Sequence, residues 1–260
     1  MENIDLLYAL QPIIVIIICS VLMVFWYLKQ HFHASVWAYS AIAYFVAIAL
    51  KYAVQLPTSD IIITDFGAHS ATLGIYYGLQ TVAFEVGLAY LIAWYAISHR
   101  KLEQKDAEAF GSGLAFYENA IYLGALSLVS IIGIYAVLST NTPAAQTVYN
   151  QLITNQPGLF APAFQALGSV AVGTVERISS LLFHFAWGYL CVMAVVYNKK
   201  RLFLIALPMG FVDFLVPFAT SSNVNLFEGV VFGLATISVI VAWYAVKQVR
   251  KNLEKLNSHP

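Results

Sequence analysis

Glu118 and Asn119 lie in the stretch Phe110 to Gly124, F-G-S-G-L-A-F-Y-E-N-A-I-Y-L-G, which is otherwise glycine, serine, aromatic and aliphatic. After Glu118 no charged residue appears until Glu176. Glu85, His184 and Asp213 are set in equally apolar surroundings. Ionisable groups so placed are costly to keep in a membrane and raise the question of function. A carboxylate removed from water suits a general base near neutrality. A histidine beside it can share the proton or bind a metal. A primary amide such as that of Asn119 can donate to an oxyanion. Together these groups would activate water against a carbonyl.

The elements that must position them are membrane helices. Hydrophobic residues make up 60% of the 260 and charged residues only 10%, where a soluble domain would be about a quarter charged. The apolar residues come in long runs, not at helical or strand spacing, which predicts an all-α, polytopic transmembrane bundle. The alternating segments of a membrane barrel are absent. A net charge of zero gives no case for nucleic acid. Cys19 and Cys191 stand singly in apolar runs and are expected to be buried hydrophobes. The first residues carry Glu2 and Asp5 but no basic residue, so the first helix is expected to remain uncleaved.

About seven spans are expected: Leu10 to Leu28, Val36 to Val54, Leu73 to Ile97, Phe110 to Leu138, Ser169 to Tyr197, Leu202 to Ala219 and Phe227 to Val246. Gln55 to Ala68, with Pro57, Asp60 and Asp65, is expected to be a loop, and Ser139 to Phe164 an external loop holding a short interfacial helix. Ser221 to Asn225 is a polar turn, and 247–260 a basic cytoplasmic tail on one integral membrane domain, 1–260. Lys29, Arg100, Lys101, Lys105, Lys199 to Arg201 and the tail cations fall on one side, while only Lys51 and Arg177 fall towards the other. The positive-inside rule then puts the N-terminus outside and the C-terminus in the cytoplasm, a cell-membrane protein. His31, His33 and His99 are expected to be solvated at the cytoplasmic surface, and Glu228 to suit the N-terminus of the last span.

Depth can be gauged from a rise of roughly 1.5 Å per residue. Measured from the cytoplasmic links, Glu85 lies about 21 Å deep, Glu118 about 15 Å, His184 about 21 Å and Asp213 about 18 Å. Four ionisable groups on four helices at one level predict a polar pocket inside the bundle. Arg177 and His184, seven apart, share a helix face, with Glu176 and Arg177 further out.

The same residues resemble the glutamic-type intramembrane proteases, in the YhfC and PrsW branches of the superfamily that includes the CAAX prenyl proteases. The resemblance covers about Thr81 to Phe218. Gly113 to Asn119, G-L-A-F-Y-E-N, is similar to F-x-x-x-E-N with Leu114 at the Phe position. Phe84-Glu85 matches the start of an E-E-x-x-[KR] type motif, Arg177 with His184 and Gly188 resembles the histidine helix, and Gly210 to Phe214 resembles the end of an H-x-x-x-D-F segment. Three positions depart: Val86 replaces a second Glu, Ala89 or Tyr90 a basic residue, and Met209 a histidine. The resemblance implies hydrolysis of a membrane-anchored peptide or transmembrane segment. Glu85 and Glu118 would activate water, His184 would share the proton, Asn119 would hold the tetrahedral oxygen and Asp213 would orient its neighbours. If one divalent ion such as zinc is bound, its ligands would be Glu118, His184 and Asp213. The three departures leave a second reading, an inactive scaffold or ligand-binding protein, and the acids alone a third, a proton-coupled carrier.

Overall fold

The computed structural model describes residues 2–220 and 223–257, and all regular structure among them is helical. Seven helices are long and apolar enough to cross a membrane: α1 Leu6–Gln30, α2 Ser35–Phe66, α3 Ala71–Ser98, α4 Gln104–Leu138, α6 Ala163–Val196, α7 Lys200–Phe218 and α8 Val224–Leu256. The short helix α5, Pro143–Asn155, lies between α4 and α6, with Thr142 Oγ1 accepting from Ala145 N at its start. A short helix is therefore present in the segment expected to hold one. The chain is a multi-pass membrane bundle.

α6 is its axis. The most apolar window of α6 is 78% buried, against 11–33% for the other six. Lipid is as apolar as leucine, so such a bundle is held by close packing, for which small residues are needed. Gly111 of α4 and Gly188 of α6 supply the closest approach. A Cβ on Gly188 would stand 2.6 Å from Gly111 Cα, and one on Gly111 would stand 2.5 Å from the Phe185 carbonyl oxygen. That contact brings the Glu118 helix against the His184 helix.

Several boundaries differ from those expected. α2 does not stop at Val54 but runs through Pro57 to Phe66, so the expected loop is mostly helix. Proline is tolerated in membrane helices where side chains meet the freed backbone groups. The carbonyl that Pro57 frees is Ala53's; Thr58 Oγ1 donates to the next one, Val54's, at 2.5 Å, and Asp60 and Asp65 stay exposed on the last turns. α4 begins at Gln104, inside the charged link, because Glu103 and Asp106 form a capping box. Asp106, fully buried, also accepts from His33 N at 2.9 Å and lies 2.8 Å from His33 Nδ1. His33 is thus tied down rather than freely solvated. The basic tail continues α8 as far as Leu256; its last three positions, 258–260, and positions 221 and 222 of the expected polar turn lie outside the described residues. Since α8 starts at Val224, Glu228 sits in its second turn rather than at its first.

Gly188→Leu is expected to destabilise the bundle by about 1–3 kcal/mol through overpacking against Gly111. Gly168→Leu, on the same helix with nothing within 4 Å, is expected to be neutral. Thermal unfolding of both variants in one detergent checks the contrast.

Candidate active site

Beyond the 3₁₀ first turns of α1 and α4, three of the spanning helices lose α-geometry, and each does so at a candidate residue. Thr81–Val86 in α3 is π-helical and carries Glu85. Phe116–Ala125 in α4 is π-helical and carries Glu118 and Asn119. Phe211–Phe218 in α7 is a 3₁₀ segment and carries Asp213 between Pro208 and Pro217. Wider and tighter turns re-aim side chains and release backbone groups, and they gather at functional sites. In α4 the widened turn requires glycine at 124, where a Cβ would stand 2.5 Å from the Asn119 carbonyl oxygen.

The re-aimed groups meet at one imidazole. His184 Nε2 lies 3.0 Å from Glu85 Oε2 and 2.8 Å from Glu118 Oε2. Its other nitrogen, Nδ1, lies 2.9 Å from the Ser180 carbonyl oxygen, one helical turn back. Both ring nitrogens thus face oxygens, so the ring needs a proton on each nitrogen, a carboxyl proton donated to Nε2, or a cation between Nε2 and the two carboxylates. The imidazole is buried and packs against the Trp187 indole at 4.2 Å between centroids.

The two acids are held differently. Glu85 is bonded through both oxygens, since Lys51 Nζ donates to Oε1 at 2.6 Å while Oε2 faces His184. Glu118 concentrates its bonds on Oε2, which accepts from Ser180 Oγ at 2.9 Å and faces His184. Its Oε1 has only the Arg177 guanidinium nearby, at 3.9 Å. Asn119 is fully buried on the far side of Ser180. Its Nδ2 donates to Ser180 Oγ at 3.2 Å and to the Ala115 carbonyl at 3.1 Å, so both of its hydrogens are spent. Asp213 does not reach the imidazole; it accepts from Thr81 Oγ1 and from Lys51 Nζ, the latter at 3.3 Å. Among the described residues no three His, Cys, Asp or Glu side chains stand as a ready metal site. The expected trio of Glu118, His184 and Asp213 is not assembled, because Lys51 takes Asp213 to its own side.

Sequence reasoning missed Lys51, Thr81 and Ser180, and it set Arg177 too far out. All four line one cavity of about 240 Å³ with Glu85, Glu118, His184 and Asp213. The signal for Lys51 was present: it is a lone charge after a long apolar run, the criterion that singled out Glu118. Ending the span before Pro57 hid its depth.

The match to known families adds to this geometry. The model of the YhfC intramembrane metalloproteases matches residues 13–229. The chain belongs to that family. The match reaches well before Thr81 and so takes in α2 and Lys51. No curated protein and no solved structure matches the chain. Two departures from the resembled motifs now have a spatial account. The cation absent from Ala89 and Tyr90 is delivered to Glu85 from α2 by Lys51. Met209 faces an apolar groove with Leu204, Pro208 and Leu215, not the acid cluster.

Lys51→Met would strand Glu85 and Asp213 side by side without their cation. Breaking one partner of a buried pair costs about 3–5 kcal/mol. A drop of that order in unfolding free energy is expected, with substantial recovery in Lys51→Met/Glu85→Gln, read by denaturant titration in micelles.

Proposed function

We propose that this family member hydrolyses peptide bonds of membrane-anchored or transmembrane substrates in the cavity around His184. The observation that carries the reading is one buried imidazole nitrogen within hydrogen-bond reach of two carboxylates from two other helices. A nitrogen shared by two acids is suited to passing a proton between them.

Roles can be assigned by which atoms are already engaged. Glu118 Oε1, which carries no hydrogen bond and lies 3.9 Å from the Arg177 guanidinium, takes the proton of the attacking water. Glu85, fixed at both oxygens, orients the imidazole and does not itself attack. His184 relays the proton to the departing amine. Arg177, 3.9 Å from Glu118 Oε1, would stabilise the charge of the tetrahedral oxygen, the duty that the motif resemblance gives to Asn119. Asn119 instead holds Ser180, which in turn holds Glu118. Asp213 and Thr81 keep Lys51 aimed at Glu85.

The family is named for metalloproteases, and the donor types around the imidazole, one nitrogen and two carboxylates, are those zinc takes, but they stand in hydrogen-bond contact and would have to spread to admit an ion. Nε2 is oriented by the Nδ1 contact to a carbonyl, the usual support of a metal-binding histidine, and it faces two carboxylates. His184, Glu85 and Glu118 would hold the ion, which when bound supplies Lewis-acid activation of water or carbonyl.

In proteoliposomes with a panel of single-span peptides, wild type is expected to cleave and Glu118→Gln to be slower by about 10²–10⁴-fold. Equal null cleavage by both under several divalent ions would overturn the reading. Purified wild type is expected to carry a divalent metal that chelation removes and that His184→Ala fails to retain, as measured by elemental analysis. We further propose that the basic links face the cytoplasm. A reporter fused after Pro260 is then expected to be active only if it functions inside the cell.

A further inference from the structure

Five carboxylates line the cavity, those of Glu85, Glu118, Glu176, Asp213 and Glu228, against two permanent cations, Lys51 and Arg177, and one imidazole. Most of these have partners within the protein. Lys51 pairs with Glu85 and Asp213, His184 bonds Glu85 and Glu118, and Arg177 is bound to Glu176. Glu228 is left over. It is only 8% exposed, and its Oε2 is screened from solvent with no hydrogen-bond partner. A buried acceptor without a donor costs about 1–3 kcal/mol, and more when it is charged. Its own helix offers little, since α8 begins at Val224 and the pull of a helix N-terminus fades beyond the first turn.

We propose that Glu228 anchors a cation subsite that takes the lysine ammonium or arginine guanidinium of a peptide substrate, on the α8-start side of the bond to be cut. This rests on the hydrolase reading above. The cavity supplies three of the elements such a subsite needs. An acceptor is in place and desolvated. The surplus of acids over fixed cations favours a positive visitor throughout the space. Glu228 also lies roughly 6 Å along the helix axis from the start of α8, by helical rise, close to the polar boundary. There a long basic side chain keeps its stem in apolar surroundings while its head finds a charge. A bare divalent ion fits the position poorly, because no third donor stands ready among the described residues. Arg177 lines the same cavity, but its ion pairs are with Glu176 and Glu118, and Glu228 Oε2 has no hydrogen bond from it.

The test uses labelled single-span peptides, identical but for Lys, Gln or Glu at a position scanned through the outer third. Binding to the full-length protein in nanodiscs is read by fluorescence anisotropy, which needs no cleavage. Wild type is expected to bind the best Lys peptide about 10-fold or more tightly than its Gln counterpart, as a charge-assisted bond implies. Glu228→Gln should erase the difference, Glu228→Asp should keep part of it, and Glu228→Arg should turn the preference towards Glu peptides. Equal binding of Lys and Gln peptides by wild type overturns the proposal, and that comparison needs no variant to fold. A Lys preference that survives in Glu228→Gln overturns it too. Cleavage of the same peptides is scored separately. Charge-selective binding without cleavage sinks the hydrolase reading alone, and cleavage without charge selectivity sinks the subsite alone.

Discussion

The structure depends on the cost of holding charge away from water. An unpaired ion inside a bundle is worth several kcal/mol against folding, and lipid offers nothing to relieve it. His184 is where that cost is met. Its Nε2 serves Glu85 from α3 and Glu118 from α4, while its Nδ1 is held by the backbone of its own helix. Three helices are thereby fixed around one ring. The two π-helical segments and the Gly111–Gly188 contact bring these particular side chains within reach of each other.

A second tier of contacts keeps the ring's partners distinct. Lys51 draws Glu85 and Asp213 to one side, whereas Ser180 and Arg177 draw Glu118 to the other. Two chemically identical carboxylates thus receive different surroundings from their neighbours alone. Glu85 is bonded at both oxygens, whereas Glu118 takes its hydrogen bonds on Oε2. The same contrast marks Glu228, the remaining acid of the cavity, as the group with an open oxygen at the opposite end.

The departures from the family-like motifs are informative in this light. Val86 packs where Gly210 leaves room, and Tyr90 stacks on Phe203 at 4.3 Å between centroids. Both are helix-packing positions, and polar residues there would need partners that the surrounding apolar faces lack. The cation that one motif would place on α3 comes from α2 instead, so the pair survives although its local spelling does not. A site of this kind is a constraint on space, and only indirectly one on sequence.

The same division separates the legible from the hidden. Long apolar runs fix membrane helices locally, because every backbone polar group must be satisfied within its own segment. The seven spans therefore came from the sequence, as did the loosening of α7 around Asp213 by its prolines. What the sequence could not decide was azimuth, the direction in which each side chain leaves its helix. Neither π-segment has a composition that betrays it, and each rotates the side chains beyond it. Lys51 lay hidden because Pro57 looks like an end when read along one chain, whereas the helix continues through it to Phe66. Which acid is saturated, which is open, and that Asp213 belongs to Lys51 rather than to His184 were settled only when separate helices met, since pairing between charges is a property of distance in space and not of spacing along the chain.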